Sequence, residues 1–359
     1  MTNNEYKENT FHQLSPYLGK LKSNIAKKLI LSYTKPYDTI CDPFSGSGTV
    51  ALESLTLNRH IIANDINPYA VILTKAKMYP PNSLDEALER AEYYLNCTKE
   101  EMTRISLSRI PKWVRTFFHP TTLKETLSLV RLLKRNEEYF ILACVLGILH
   151  HQSTGFLSYP SSHIVPYLRT EKFPKERFPT LYTYRDIRPR LLSKIKRVFR
   201  HFLRIAPMLF RECKTECVEK LELPENSIDA VITSPPYMDT LSYGGDNRLR
   251  LWFLGINDYQ YYDNKSPRNP QDFHLLIKNA LSRLYFALKS DSYCIFVVGE
   301  VKKGKKSINT SSIIQDVVLS NGGFKILSVI EDEIPYSRRI RGKRDTIKKD
   351  WFVIMKKEK

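Results

Sequence analysis

The sequence predicts an α/β fold, in which a doubly wound, mostly parallel sheet carries a mainly helical insertion. A strand–turn–helix–strand–helix pattern runs from Tyr37 to Met78, and alternating strand and helix signals return after Ser227. This alternation is typical of sheets with crossover helices. Strand signals almost vanish between the two regions. We therefore expect one core domain formed by residues 1–78 and 226–359, with an insertion at 79–225.

Each element of the first region has its own signal. The apolar run YDTICDPF predicts a strand, SGSG a turn, TVALESLTLN a helix, HIIANDIN a second strand, and PYAVILTKAK a second helix. Strand-length apolar runs that alternate with helix-length periodic segments indicate a βαβα unit.

The insertion is predicted to be mainly helical. Long helical patterns cover 85–105 and 122–151, and residues 152–186 are rich in Tyr, Pro, Ser and Phe without sustained periodicity. That composition predicts irregular structure. At 188–205 apolar residues recur at helical spacing with Arg and Lys between them, which predicts an amphipathic basic helix.

In the last third of the chain, apolar strand signals alternate with helical segments. This pattern resumes the sheet. The predicted strands are SIDAVITSPPY, SYCIFVVGEV, FKILSVIEDEI and DWFVIMKK, and the predicted helices cover 272–289 and 311–320.

The charge of the chain favours a polyanionic partner. The formal net charge is +18, from 56 Lys and Arg against 38 Asp and Glu. A field of this size attracts nucleic acid over a Debye length. A charge that only keeps the protein in solution is the alternative, because composition speaks to non-specific binding rather than to fold.

The cysteines and the apolar segments predict a cytoplasmic protein without membrane contact. Six cysteines are scattered without paired spacing, which is typical of a reducing compartment. The polar start lacks the apolar core of a signal peptide. The longest apolar run, at 139–149, is far shorter than the ~20 residues that span a bilayer.

The Gly-rich turn DPFSGSGT leaves the first predicted strand. Gly46 and Gly48 would let the backbone approach a ligand at a helix N-terminus, although tight packing is the alternative for this turn alone. Asp65 ends the next strand, where a carboxylate can bind ribose hydroxyls. No Gly-Lys-Ser/Thr follows Gly48, and the third glycine of the dinucleotide pattern is missing. The pair predicts a nucleotide-like cofactor and disfavours a nicotinamide.

A second motif, Ser234-Pro235-Pro236-Tyr237, directly follows an apolar strand. Ligands of open α/β sheets bind at this carboxyl edge. Two prolines make the loop rigid. The loop could aim the Ser234 hydroxyl and the Pro235 carbonyl at a flat amino group, while Tyr237 offers a stacking face for a flipped base. An ordinary turn with a core tyrosine is the alternative for the tetrapeptide alone.

Together, DPFSGSGT and TSPPY resemble the DNA amino-methyltransferases, which methylate cytosine N4 or adenine N6. SPYLGKLKSNIAKKLI and DNRLRLWFLG also resemble family segments. The resemblance implies a Rossmann-like S-adenosylmethionine-dependent methyltransferase fold, with a mostly parallel seven-stranded sheet and a terminal antiparallel hairpin. The motif order resembles the alpha order, which makes 79–225 the candidate target-recognition region.

The resemblance also assigns roles to residues of both motifs. Asp42, Phe44, Gly46 and Gly48 would flank the methionine part of S-adenosylmethionine, and Asp65 would hold its ribose. Ser234, Pro235, Pro236 and Tyr237 would form the catalytic loop. The other residues expected at the cofactor are Tyr17, Pro43, Ser47, Thr49, Ile66 and Asn67.

The head of the catalytic motif favours cytosine N4 as the acceptor. Serine is commoner there among cytosine-N4 enzymes, whereas Asp or Asn is commoner among adenine-N6 enzymes. Carbon-5 methylation needs a Pro-Cys motif, and no cysteine of this chain follows a proline. Family members often carry Gly-Asp before the SPPY strand, but this chain has Thr215-Glu216-Cys217-Val218, which leaves an acidic contact from Glu216 open.

DNA is the predicted partner, through phosphate contacts that position the target rather than specify it. No metal is expected, because the adjacent histidines His150 and His151 lack the spacing and the carboxylate partners of a metal site. A cognate restriction enzyme is the further partner expected of a restriction–modification pair, and an orphan enzyme is the alternative. The predicted phosphate contacts are Arg190, Lys194, Arg197, Arg338, Arg339, Arg341, Lys343 and Arg344.

Three other functions fit parts of this pattern. The first is an amino-methyltransferase that acts on adenine N6 or on an RNA base. The second is a catalytically silent nucleic-acid-binding subunit that kept the fold, which the intact motifs oppose. The third is a small-molecule methyltransferase, which the net charge opposes.

Overall fold

The computed structural model describes residues 8–202, 204–238, 241–303, 306–333 and 349–358. These residues form a seven-stranded sheet flanked by helices, together with a separate helical region. The strands are β1 (Thr39–Asp42), β2 (His60–Asn64), β3 (Arg211–Lys214), β4 (Ile228–Thr233), β5 (Leu288–Gly299), β6 (Val301–Lys303), β7 (Lys306–Ile308), β8 (Phe324–Glu333) and β9 (Lys349–Lys357).

The strand order of the sheet is β3-β2-β1-β4-β5-β9-β8. The first five strands in this order run parallel to one another. Strand β9 is antiparallel to both β5 and β8, and β6 and β7 form a separate two-stranded ribbon. The predicted fold, a mostly parallel seven-stranded sheet with a terminal antiparallel hairpin, is confirmed.

Helices connect the parallel strands and build the helical region. Both helices predicted for the first βαβα unit are present, as α2 and α3. The α-helices are α1 (Ser23–Tyr33), α2 (Thr49–Thr56), α3 (Pro68–Met78), α4 (Leu84–Thr103), α5 (Lys112–Arg115), α6 (Pro120–Arg135), α7 (Tyr139–Gly147), α8 (Ile187–Val198), α9 (Arg248–Phe253), α10 (Gln260–Lys265), α11 (Pro270–Ala287) and α12 (Thr310–Asn321).

Two of the differences from the sequence prediction lie within the predicted insertion. The pattern expected as one helix over 122–151 forms α6 and α7, because Glu137 between them has a φ of 54°, a left-handed conformation that ends a helix. Strand β3 lies inside the predicted insertion, where it pairs with β2 from Ile61↔Arg211 to Asn64↔Lys214. Its four residues, RECK, are only half buried and therefore lack the apolar signal of a central strand.

The chain divides into two compact units. Residues 205–225, placed in the insertion by the sequence, group with the sheet because β3 is one of its strands, whereas α9 groups with the helices. The helical unit comprises Met1–Leu18, Lys75–Arg204 and Tyr243–Tyr261, and the sheet unit comprises Gly19–Thr74, Ile205–Ser242 and Tyr262–Lys359.

One hydrophobic core of the sheet unit lies between its strands and helices α11 and α12. Ile277, Leu284 and Val317 from the helices pack in one cluster with Val231 and Phe296 from the strands, and all five are fully buried. Burial of such a side chain contributes about 1.5–3 kcal/mol. The strand ends that carry the motifs are therefore held by a packed core. Across the described residues, no helix combines the length and the apolar character needed to cross a membrane.

Candidate active site

The Gly-rich turn follows β1 and leads into α2. Gly46 and Gly48 have φ values of 51° and 73°, in the left-handed region that favours glycine. The Gly48 N–H donates to the Ser45 carbonyl at 2.7 Å. A Cβ on Gly48 would lie 2.8 Å from the Cα of Thr74. Gly48 is therefore required for close packing against α3, in addition to any role at a ligand.

Asp65 lies directly after β2 and holds the turn. One of its carboxylate oxygens accepts the Gly46 N–H at 2.8 Å, and the other accepts the Asn67 N–H at 2.8 Å. Burial raises the pKa of Asp65 to about 6, and these two N–H donors oppose the rise. A carboxylate offers about four lone-pair sites, so each oxygen can accept a further hydrogen bond.

A buried hydrogen bond joins the two motifs. Asp42, at the end of β1, accepts the Thr233 hydroxyl at 2.6 Å, and Thr233 ends β4. Both residues are at most 2% exposed. Burial raises the pKa of Asp42 to about 7, and the bonds from Thr233 and from the Phe44 N–H oppose the rise. The residue before the SPPY loop is thus fixed to the strand that begins the Gly-rich turn.

The SPPY loop leaves β4 beside β5. The Ser234 hydroxyl donates to the Val297 carbonyl of β5 at 2.9 Å. Pro235 is buried, and Pro236 and Tyr237 are half buried. The bond to Val297 fixes the direction of the hydroxyl hydrogen, so the lone pairs of Ser234 Oγ are available to accept.

Asn64, the last residue of β2, was not among the site residues predicted from the sequence. Its side-chain amide donates to the carbonyls of Pro43 (3.2 Å) and Glu216 (3.1 Å) and accepts the Glu216 N–H (3.0 Å). Its own carbonyl accepts the Ser45 N–H at 2.8 Å. Asn64 therefore joins the segments that follow β1 and β3. The sequence signal that could have indicated this role is an Asn at the end of the apolar strand HIIAN. A strand of this kind is buried, and a buried amide must find hydrogen-bond partners.

The other predicted cofactor residues lie around the same turn, except for one. Pro43, Ser47, Thr49 and Asn67 are buried, and Ile66 is half buried. Thr49 Oγ1 and Asn67 Nδ2 have no hydrogen-bond partner among the described residues. Tyr17 belongs to the helical unit, where its ring centroid lies 6.4 Å from that of Tyr243. Its assignment to the cofactor stays a prediction.

The predicted phosphate contacts of α8 differ in their surroundings. Arg197 is exposed. Arg190 donates through Nε and Nη2 to the Thr154 carbonyl, at 3.1 and 3.0 Å. Lys194 is only 4% exposed, and its ammonium donates to the Gln13 carbonyl at 2.6 Å. The prediction for Lys194 is corrected, because this residue is part of the interior of the helical unit.

The remaining phosphate contacts, Arg338, Arg339, Arg341, Lys343 and Arg344, lie outside the described residues.

His150 is 1% exposed, and its Nδ1 lies 2.8 Å from the Ser162 carbonyl. Burial lowers the pKa of His150 well below its ordinary value. The imidazole is therefore neutral, with the Nδ1–H directed at that carbonyl.

The sheet order and the two linked motifs define a Rossmann-like methyltransferase fold. Residues 3–76 match the N6_N4_Mtase family, described as DNA methylase. The chain is 27% identical over 276 residues to the type II methyltransferase M.MvaI of Kocuria varians, covering 68% of this chain and 58% of that protein. Both matches support the DNA amino-methyltransferase family, so the predicted resemblance is confirmed. S-adenosylmethionine is the cofactor that this family match supports.

Solved structures give more distant likenesses. TrmN from Thermus thermophilus has a TM-score of 0.38 and 11% identity, covering 97% of this chain and 52% of that one. A SAM-dependent methyltransferase from Methanosarcina mazei has a TM-score of 0.37 and 12% identity, covering 92% of this chain and 97% of that one. At these scores the likenesses carry no argument about function.

Proposed function

We propose that the chain is an S-adenosylmethionine-dependent DNA methyltransferase that acts on the exocyclic N4 of cytosine within a specific sequence. The geometry of Ser234 carries the proposal. Its hydroxyl hydrogen is held by the Val297 carbonyl, so its oxygen can act towards a substrate only as an acceptor. An acceptor at this position suits an amino group, which can only donate hydrogen bonds when its lone pair is conjugated with the ring.

The residues around the Gly-rich turn fit S-adenosylmethionine. Asp65 keeps lone pairs for the ribose hydroxyls, and Asp42 and Gly46 would lie beside the methionine part. Burial disfavours the ionised forms of Asp42 and Asp65. A cationic ligand would lower both pKa values, and this cofactor carries a sulfonium and an ammonium. When bound, it supplies a methyl group on a good leaving group.

The chain's contribution to the reaction is alignment and hydrogen bonding. Ser234 Oγ and the Pro235 carbonyl would accept the two amino hydrogens, which favours a more tetrahedral nitrogen with an available lone pair. Asp42 and Thr233 hold the strand end from which this loop leaves. Tyr237 would stack on the flipped base, and stacking of about 1–3 kcal/mol per base offsets much of the cost of flipping.

The choice of base and the biological setting belong to the proposal. Serine at the head of the loop favours cytosine N4, and the matched family includes both N6 and N4 enzymes, so adenine N6 is the second candidate. The relative is named a type II methyltransferase, which favours a specific DNA sequence and a restriction–modification setting. The chain spans 58% of the length of that relative.

Mass spectrometry of nucleosides tests the proposal. Duplex DNA and RNA are incubated with the protein and S-adenosylmethionine labelled in its methyl group, then digested. We expect labelled N4-methylcytosine from DNA, and a loss in rate on the order of 100-fold in Ser234→Ala. Ser227→Ala is the matched control, because Ser227 lies just before the other end of β4 and donates to the Pro224 carbonyl at 2.7 Å.

The other outcomes separate the alternatives. Labelled N6-methyladenine, or a labelled RNA base, would keep the amino-group chemistry and change the acceptor. Binding of nucleic acid without label in any nucleoside would support the silent subunit. An equal loss of activity in Ser227→Ala would mean that the effect of Ser234→Ala arises from the fold of β4.

A further inference from the structure

A basic stretch of the helical unit lies outside the residues assigned so far. Residues 104–124 include five Lys and Arg and no Asp or Glu. A run of one sign of charge is usually a solvated surface, and its meaning depends on what the structure places around it. The basic residues are Arg104, Arg109, Lys112, Arg115 and Lys124.

The short helix α5 presents the centre of this stretch to solvent. Lys112, Trp113 and Arg115 are exposed, whereas Val114 is fully buried. Phe117, which follows the helix, is 4% exposed. The apolar side of α5 is thus used for packing, and the cations and the indole remain on the outer side.

Trp113 is 38% exposed and is nevertheless held in place. The rings of Phe117 and Trp252 meet it edge to face, each at a centroid distance of 6.4 Å. The Arg248 guanidinium lies 5.6 Å from the centroid of its ring, and Arg248 Nη2 donates to the Pro166 carbonyl at 2.7 Å. An indole fixed in this way loses little conformational entropy on binding a ligand.

Three exposed cations close to Trp113 in the sequence lack an acidic partner among the described residues. Within the described part of the chain, Arg109, Lys112 and Arg115 make no ion pair. Two arginines nearer to α4 differ: Arg90 of that helix pairs with Glu86 at 2.7 Å, and Arg104, the first residue of the basic stretch, pairs with Glu100 at 2.7 Å. Unpaired cations around a fixed aromatic ring suit a ligand that combines repeated negative charge with flat apolar faces.

We propose that α5 and Arg248 form a nucleic-acid-binding surface, on which Trp113 stacks against a base and Lys112 and Arg115 contact phosphates. This inference rests on the proposed function, which requires a DNA substrate. Base–aromatic stacking with flanking cations is how proteins bind unpaired strands. A membrane surface fits less well, because the apolar side of α5 is buried rather than available for lipid.

Fluorescence anisotropy with labelled single-stranded and duplex 20-mers tests the surface without cofactor or turnover. We expect Trp113→Ala to weaken single-strand binding by about 5- to 100-fold and Trp113→Phe to retain most of it. Lys112→Ala/Arg115→Ala should lower the slope of log K against log salt by about 1.4 on the single strand. Tyr93→Ala, which removes an exposed ring of α4 (64%), and Arg90→Ala, which removes a paired arginine, are the controls.

Thermal melting checks that every variant is folded. Variants that bind like the wild type, with an unchanged salt slope, would overturn the surface and leave the proposed function intact. Wild-type protein that binds anionic lipid vesicles through Trp113 but no nucleic acid would overturn the surface and the DNA substrate together. If the wild-type protein binds single strands through Trp113 but transfers no methyl group, the surface is supported and the proposed function is contradicted.

Discussion

The carboxyl edge of the sheet and helix α8 differ in how well the sequence indicated the surroundings of their polar side chains. At the sheet edge, Asp42, Asp65 and Ser234 bond to groups of neighbouring strands and turns, and the motif pattern predicted them as one site. On α8, Lys194 and Arg190 were expected to meet phosphates, and both donate to carbonyls of their own unit. A strand end fixes where a side chain points, whereas net charge does not say which cations reach solvent.

The largest effect is expected at Gly48, where the sheet edge tolerates least change. Gly48→Ala places a Cβ 2.8 Å from the Thr74 Cα at a φ of 73°. We expect a loss of about 2–4 kcal/mol in the free energy of unfolding, because neither backbone can move away cheaply. Urea denaturation measures the loss, and isothermal titration with S-adenosylmethionine measures the accompanying weakening.

Gly155→Ala in the helical unit is the control for Gly48→Ala. The nearest atom to its Cβ is Ser153 Oγ at 3.7 Å, so this substitution should change stability by less than about 0.5 kcal/mol. Equal urea midpoints for Gly48→Ala and Gly155→Ala would show that the turn can relax, and that Gly48 is not required for packing.

Asn64 should give the second largest effect. In Asn64→Asp the carboxylate cannot donate to the Pro43 and Glu216 carbonyls, so the buried Pro43 carbonyl and the partly buried Glu216 carbonyl both lose their donor. We expect the stability to fall by about 2–4 kcal/mol and the cofactor to bind about 10-fold more weakly. Turnover at saturating cofactor should change less than KM, because Asn64 positions the segments around the cofactor and does not touch the SPPY loop.

Thr34→Val is the matched control for Asn64. Thr34 is also buried in the sheet unit, donating to the Ile30 carbonyl at 2.6 Å and accepting from Arg59 Nε at 3.0 Å. Removal of the Thr34 hydroxyl should lower the stability of the protein with little change in its affinity for the cofactor. A similar drop in affinity in both variants would mean that Asn64 acts through global stability alone.

The sequence predicted the sheet unit well because its signals are local. Apolar runs that end in DPFSGSGT, Asp65 and SPPY fix strand, turn and residue at once, and the structure brings Asp42 of one motif to Thr233 of the other. Strand β3 and Asn64 were not predicted, because neither has a local signal in the sequence for its partners. RECK lacks an apolar run, and the partners of Asn64 at Glu216 lie 152 residues away, a separation that no local pattern encodes.

The helical unit was predicted less well, and Lys194 shows why. Leu191, Lys194 and Val198 follow one another at spacings of three and four residues, so the lysine occupies a position of the buried stripe. Its charge suggested solvent, but its position on the helix indicated burial. Trp113 gave no periodic signal, since the exposed side of a four-residue helix depends on which neighbours cover the other side.

A third test uses the buried carboxyl at the sheet edge. Asp42 has a pKa of about 7 in the folded chain and an ordinary value of 3.8, so the folded state binds more protons between about pH 4 and 7. The stability of the wild type should therefore fall as the pH rises through this window. Asp65, with a pKa of about 6, contributes in the same direction.

Urea denaturation at pH 5 and pH 8 measures the contribution of Asp42. The difference in stability between the two pH values should be smaller in Asp42→Asn than in the wild type, by about 1–3 kcal/mol. Asp38→Asn, before the other end of β1, controls for the exchange of a carboxylate for an amide. An identical pH dependence in Asp42→Asn and the wild type would contradict the buried, protonated form of Asp42.

The smallest effect separates the two kinds of cation on α8. Lys194→Met leaves the Gln13 carbonyl without its ammonium donor and should cost about 1–3 kcal/mol of stability, with DNA affinity unchanged. Arg197→Ala removes an exposed cation, so it should leave stability within about 0.5 kcal/mol and lower the salt slope of DNA binding by about one. Anisotropy and urea denaturation of both variants give the comparison. If Lys194→Met lowers the salt slope as Arg197→Ala does, the lysine must leave the interior to reach a phosphate, and the distinction between the sheet edge and α8 would no longer hold.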